Sequence, residues 1–253
     1  MIERVAVIGA RGQMGGLIMD RCRLAGVESR GLDRPLTGDA LRRAFDGADL
    51  AVVSVPLWSM EEVLRMTAPL LDQKTILADV CSVKVHPLQQ MLAVYGGPVV
   101  GTHPLFGPVI PEGFEPRVAV TPGRVDQAAG LVSDFFKALG FFPFMTTAEE
   151  HDEAVAKIQG LNFSTTVAYL ACLARTPGVD RFLTPSFERR LEAARKMLTM
   201  DKDLFVALSE ANPYSQDAVR HFGEYLDIAA GGDLDLLAEM AGWWWRTDDR
   251  GSA

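Results

Sequence analysis

An α/β domain with a doubly wound sheet, followed by a domain built only of helices, is the architecture this sequence predicts. Three observations carry it. Short β-branched runs recur through the first part of the chain and alternate with helical periodicity. The first run, Arg4 to Ile8, passes directly into a glycine-rich loop. After Thr146 the strand-like runs stop, and helical patterns with capping signals remain. Residues 1–146 are therefore the expected first domain and residues 147–253 the second.

The bulk properties fit a folded two-domain protein. The chain has 253 residues, of which 48% are hydrophobic. Its net charge of −8 is uneven, −1 as far as Thr147 and −7 beyond it. An acidic chain without a basic stripe argues against nucleic acid as a partner, while a few local cations still suffice for a small anionic substrate. No run of about 18 apolar residues is present, so no membrane span is expected. The start, Met1-Ile2-Glu3-Arg4, lacks the features of a signal peptide. Cys22, Cys81 and Cys172 are scattered, which fits reduced thiols in a cytoplasmic protein without a zinc site.

Arg4 to Ile8 reads as a buried parallel strand. It runs into Gly9-Ala10-Arg11-Gly12-Gln13-Met14-Gly15, and Gly16 to Ala25 has helical periodicity. Strand, glycine turn and helix form the context of a dinucleotide fingerprint, hence a Rossmann-like domain. The spacing is G-x-x-G-x-x-G, with Ala10 where the strict motif has its first glycine. Glu28 to Leu32 is the second strand and ends at Asp33, where an acidic side chain can hold both ribose hydroxyls. A carboxylate there repels a 2′-phosphate, so NAD is expected over NADP; the other reading of Asp33 is a turn residue before Arg34-Pro35. Leu36 to Gly47 reads as a short polar helix, and Asp49 to Val55 as a strand that turns Ser54, Val55 and Pro56 toward the cofactor.

Met60 to Leu71 reads as an amphipathic helix and Thr75 to Val80 as a strand that delivers Ser82 and Lys84 to the same rim. His86-Pro87 opens the next helix, with His86 a capping or surface residue. Val99-Val100-Gly101 carries His103, within Gly101-Thr102-His103-Pro104-Leu105-Phe106-Gly107-Pro108. Histidine suits proton transfer near neutral pH; alone, the stretch also reads as a packed turn. Arg117 to Thr121 and Phe141 to Met145 are two more strands, with the helix Val125 to Leu139 between them. Taken together, these stretches point to a nicotinamide-dependent dehydrogenase with His103 as its base.

Thr147-Ala148-Glu149-Glu150 has the form of a capping box and opens a long helix to about Leu173. Thr184-Pro185 starts a helix to about Ala211, and Asn212-Pro213 starts a third that stops at Gly231-Gly232. Asp233 caps a fourth, which ends near Trp243-Trp244-Trp245, read as core or dimer interface. The apolar faces of so small a domain predict a homodimer formed through it.

The chain resembles the prephenate dehydrogenases, most closely the dehydrogenase part of the bacterial chorismate mutase–prephenate dehydrogenases. The glycine loop, Asp79-Val80-Cys81-Ser82-Val83-Lys84 and the His103 stretch carry the resemblance. Glu150-His151-Asp152, Ile158-Gln159-Gly160-Leu161 and the segment from Pro185 to Asp201 add weaker matches. The resemblance implies NAD-dependent oxidative decarboxylation of prephenate, with His103 as base and Ser82 on the reacting hydroxyl or orienting the histidine. It also implies substrate-side roles for Gln159, Asn162 and Lys196, and for Lys84 either a substrate-side positive potential or support of the Ser82 loop. The family's substrate-binding arginine falls on Lys196, beside Arg195, an earlier one on Glu188, and a family histidine on Phe163. Lysine keeps the charge but lacks the two-pronged fork of arginine. These departures keep arogenate open as substrate, with Glu188 a candidate partner for its ammonium group. His151 faces the cleft, as the resemblance implies, or makes a capping or interdomain bond. His221 reads as surface. No mutase segment precedes the first strand, so mutase activity is not implied. The competing reading is an NAD-binding sensor without chemistry, which needs no base at His103.

Overall fold

The computed structural model describes residues 1–246; residues 247–253, the end of the expected helical domain, lie outside the description. The chain divides into two compact units after Val155.

The first unit is built on a seven-stranded sheet. Its strands are β1 (Arg4–Ile8), β2 (Glu28–Leu32), β3 (Leu50–Val53), β4 (Ile76–Asp79), β5 (Val99–Pro104), β6 (Arg117–Arg124) and β7 (Phe142–Met145). Their order is β2-β1-β3-β4-β5-β6-β7. Parallel β2 and β3 flank β1, with Leu32 and Val53 both beside Ile8. The chain thus changes direction of travel across the sheet at the end of β1, the place where α/β sheets open a ligand crevice. Strands β1 to β5 run parallel, β6 is antiparallel to β5, and β7 is parallel to β6.

The strands read as near-continuous apolar runs because both faces are covered. Val5, Val7, Val52 and Ala78 pack with α1 (Gln13–Ala25) on one face, through Ile18 and Cys22. On the other face Ala6, Ile8, Val53 and Leu77 meet Leu41 and Phe45 of α2 (Gly38–Phe45) and Met60 and Leu64 of α3 (Leu57–Thr67). Helix α4 (Val85–Val94) adds Leu88 and Met91 to that face, and α5 (Asp126–Ala138) adds Val132 and Phe136 to the first. The helix expected over Met60 to Leu71 starts earlier and tightens into a 3₁₀ turn at Ala68–Leu70, where Pro69 offers no N–H to an α-helical ladder.

The capping box forms: the Glu150 amide donates to Thr147 Oγ1 at 3.1 Å and the Thr147 amide to the Glu150 carboxylate at 3.2 Å. It opens α6 (Ala148–Val155), which belongs to the first unit. The division therefore falls after α6, later than the boundary at 146. The reason is local: α6 buries Ala148, His151, Asp152 and Val155, and Asp152 accepts backbone N–H groups at the start of α4.

The second unit is helical among its described residues. A π-helical stretch, Ala156–Leu161, precedes α7 (Asn162–Leu173), α8 (Pro185–Thr199), α9 (Lys202–Ala211), α10 (Ser215–Ala230) and α11 (Leu234–Ala241). Phe163 stacks on Phe205 with centroids 5.3 Å apart. Thr184 caps α8 through the Phe187 amide. The helix expected to reach Ala211 breaks at Met200-Asp201 into α8 and α9, and Thr199 Oγ1 donates back to the Arg195 carbonyl in the last turn of α8. Asn212 does not cap α10 from one residue before a proline: its side chain accepts from the Tyr214 amide, and α10 starts at Ser215. The tryptophans are not core. Trp243, Trp244 and Trp245 are 42%, 53% and 78% exposed. No helix among the described residues is long and apolar enough to cross a membrane.

Candidate active site

The glycine loop is shaped by packing. Gly9 sits at φ +88°, and a Cβ there would come within 2.1 Å of the Ser54 carbonyl oxygen. A Cβ on Gly15 would meet the Gly9 carbonyl oxygen at 2.2 Å. Both positions need glycine for β1, α1 and the end of β3 to close together. Helix α1 then begins at Gln13 with Gly12 ahead of it, no side-chain cap and no acid in its first turn. Its leading amides lack a protein carboxylate or hydroxyl cap, the arrangement that receives an anionic phosphate.

A cleft of about 360 Å³ opens at this edge, lined by Gly9, Gly12, Asp33, Arg34, Ser54 and Pro56 among others. Val55 also lines it. Asp33 follows β2 and accepts the Arg11 amide at 3.0 Å. Arg34 is held by Glu62 at 2.6 Å. The bare helix start, the glycine cradle and a carboxylate one strand away fit a dinucleotide. Ala10, Gln13 and Met14 lie in the same turn, Ala10 and Met14 with partial burial against the sheet.

The parallel registers Val53–Asp79 and Ala78–Val100 bring the segments after β3 and β4 to the same edge as the end of β5. Ser54, half-buried Ser82 and buried His103 lie there. His103 is within β5, opposite Ala119 of β6, and only 4% exposed. Its Nδ1 lies 2.9 Å from His151 Nε2. His151 Nδ1 in turn lies 2.8 Å from Asp152 Oδ1. Asp152 is fixed by the backbone amides of Lys84, 2.6 Å from Oδ1, and Val85, 2.8 Å from Oδ2. Burial pushes the His103 pKa well below the usual 6.5, and the Lys84 ammonium pushes it the same way. At neutral pH the ring is uncharged and able to accept a proton.

Lys84 is placed differently from its expected substrate-side role. It is fully buried, its ammonium paired with Asp79 and donating to the Thr102 carbonyl at 2.7 Å. Asp79 also accepts the Cys81 and Thr102 amides. This pair ties β4 to the strand that carries His103, and two of the three Lys84 N–H donors are spent inside it. The same burial pushes the Cys81 thiol up and keeps it neutral.

The remaining expected substrate groups belong to the second unit. Gln159 is in the π-helical stretch and half-buried, and Asn162 opens α7 with an exposed side chain. Lys196 lies on α8, 3.4 Å from the Asp201 carboxylate. Arg195 is near Glu192, and Glu188 is exposed in the first turn of α8. Phe163, at the family's histidine position, is a buried stacked ring with no polar atom to offer. His86 is exposed, and His221 is an exposed partner of Glu224.

Sequence reasoning did not find the His151–Asp152 pair as a partner of His103. The capping box was the available signal, since it fixes both residues in the turn that follows Thr147.

Comparison with known proteins bears on this site. Residues 23–127 match the model of the prephenate dehydrogenase nucleotide-binding domain. The chain is 31% identical over 240 residues to a T-protein from Enterobacter agglomerans, covering 92% of this chain and 64% of that protein. It is 29% identical to the Haemophilus influenzae T-protein, covering 81% of this chain and 55% of that one. The chain thus spans only about two thirds to half the length of these relatives. In fold it is similar to Synechocystis arogenate dehydrogenase, with a TM-score of 0.73 at 19% identity over 95% of this chain and 96% of that one.

Proposed function

We propose a reaction for this chain from the family it belongs to, the prephenate dehydrogenases: oxidative decarboxylation of prephenate to 4-hydroxyphenylpyruvate, with NAD. Bound NAD supplies the acceptor for the hydride on the carbon that carries the ring hydroxyl. His103 takes the hydroxyl proton at Nε2, the nitrogen not engaged by His151. Ser82 holds the same hydroxyl. As the carboxylate leaves as carbon dioxide, its electron pair enters the ring, which becomes aromatic. The proton then returns from His103 to the phenolate oxygen, so the base ends as it began.

The observation that carries this reading is the buried, uncharged His103 on the same sheet edge as the glycine-loop cleft, with one nitrogen already committed to His151. Lys196 is the second-unit cation that the resemblance assigns to a substrate carboxylate. Asp33 supports NAD over NADP, because its carboxylate opposes a 2′-phosphate while Arg34 is occupied by Glu62.

The test is NADH formation with prephenate and with arogenate, each with NAD and NADP. Turnover of prephenate with NAD is expected, and Asp33→Asn should narrow the preference for NAD by about tenfold, the worth of ~1.4 kcal/mol. Turnover of arogenate alone would replace the substrate and direct attention to Glu188. NAD binding without turnover of either would favour the sensor reading. We also place this enzyme in the cytoplasm as a homodimer through its helical unit. Exposed Leu226, Leu234 and Leu236, with the three tryptophans, support that contact. A monomer by sedimentation at micromolar concentration would exclude the dimer.

A further inference from the structure

A base this deeply buried has a difficulty of its own. Once His103 accepts a proton, a positive charge sits in surroundings that disfavour it. Lys84, itself paired with Asp79, adds an opposing ammonium from the start of α4. The titratable and charged groups around the ring are His151, 2.9 Å away, Asp152 behind it, and Lys84, whose charge acts on the ring and is paired with Asp79. Among them, the carboxylate nearest in the hydrogen-bonded chain is that of Asp152, reached through His151.

We propose that His151 and Asp152 are positioning residues that hold His103 in its Nδ1–H tautomer and take over the positive charge when Nε2 accepts a proton. The proposal rests on the reading of His103 as base.

The tautomers follow from the order of donors. Asp152 accepts two backbone N–H groups, and an ionised carboxylate only accepts. His151 Nδ1 must therefore donate to it across 2.8 Å. A neutral imidazole has one donor and one acceptor, so His151 Nε2 is an acceptor. His103 Nδ1 must then donate across 2.9 Å. That leaves the lone pair of His103 on Nε2, where the hydroxyl proton is needed. No other arrangement of two neutral rings satisfies both contacts.

The same geometry carries the charge away. When Nε2 gains the substrate proton, the Nδ1 proton passes to His151 Nε2. His103 is again neutral, now as the Nε2–H form, and the imidazolium is His151, beside the Asp152 carboxylate. One N–H bond forms and one breaks at each ring step, and no further reactant is needed. Return of the proton to the phenolate reverses both steps. Asp152 thereby couples two tasks, since it also fixes the amides at the start of α4, whose N-cap residue Lys84 gives no side-chain cap.

The experiment combines nitrogen NMR of ¹⁵N-histidine-labelled full-length protein with kinetics. The wild-type spectrum should show His103 protonated at Nδ1. Asp152→Asn removes the carboxylate beside His151 Nδ1, so the positive charge relayed to His151 loses its counter-ion. Its kcat should fall by at least about 10²-fold, as when the orienting acid of a serine-protease triad is made an amide, with KM and NADH affinity within about twofold. His151→Gln keeps an acceptor for His103 Nδ1–H but cannot carry a proton. It should retain the tautomer, lower the kcat plateau and move the acid limb of the kcat profile to lower pH. A merely structural role would leave that limb in place. A wild-type His103 protonated at Nε2 would overturn the proposal even if both variants fail to fold. So would a folded Asp152→Asn with unchanged kcat and pH profile. Turnover by His103→Asn would instead overturn the reading of His103 as base. An inactive His103→Asn beside fully active Asp152→Asn and His151→Gln would leave that reading standing and remove the relay alone.

Discussion

His103→Asn lowers turnover of prephenate with NAD by about 10²–10⁴-fold, the usual worth of a positioned base, and leaves NADH affinity unchanged. The glycine-loop cleft proposed to hold the cofactor is lined by residues from Ile8 to Val63, none of which touches the imidazole through a described hydrogen bond. Stopped-flow turnover and NADH fluorescence separate the two effects. Retention of more than about a tenth of wild-type kcat would exclude His103 as the base. The variant also changes the response to acid. The folded His103 pKa lies below the unfolded value of 6.5. As pH falls through that unfolded value, the unfolded chain binds a proton that the folded chain refuses, so His103 costs stability on the acid side. Urea midpoints measured between about pH 7 and pH 5 should therefore decline less in His103→Asn than in the wild type.

Lys84→Met is expected to destabilise the protein by about 3–5 kcal/mol, because it leaves the Asp79 carboxylate buried and without its cation. Both side chains are fully buried, and Lys84 also holds the Thr102 carbonyl, one residue before His103. Methionine fills nearly the same volume, so packing contributes little to the loss. In Lys84→Met/Asp79→Asn the uncompensated charge is gone, while the one remaining oxygen can still accept either the Cys81 or the Thr102 amide. Urea unfolding should show the double variant more stable than Lys84→Met. A single variant within about 1 kcal/mol of wild type would show that the pair does not hold β4 to β5.

Lys84 also shows where sequence reading ran out. Beside Ser82, at the end of a strand, a lysine looks like a rim cation. Its partner Asp79 lies five residues earlier in an apolar run, and nothing in the local pattern says that both point inward. The glycine loop was legible because its constraints are local: β-branched strand, tight turn and helix are consecutive. The parallel strands were legible for a related reason, since burial on both faces leaves unbroken apolar runs. The reversed direction of β6 was not, because an eight-residue strand has the same periodicity either way. The break at Met200-Asp201 has no glycine or proline to announce it. The tryptophans were read by hydrophobicity alone, which does not distinguish a core from an uncovered surface. His103 stood out between glycine and proline. Its dependence on His151 did not, because that contact joins positions 48 residues apart.

That separation gives the chain an order of assembly. The residues that line the glycine-loop cleft all occur by Val63, so all of them precede His103 in the chain. Asp152 lies 68 residues after Lys84, whose amide it fixes. Until α6 has been synthesised and docked, the imidazole of His103 has no partner to select its protonated nitrogen. A chain in which α6 is not yet docked can therefore hold every residue of the glycine-loop cleft before the tautomer of His103 is set. Long-range closure of this kind is the slow part of folding, which makes competence for proton transfer one of the last properties the first unit acquires.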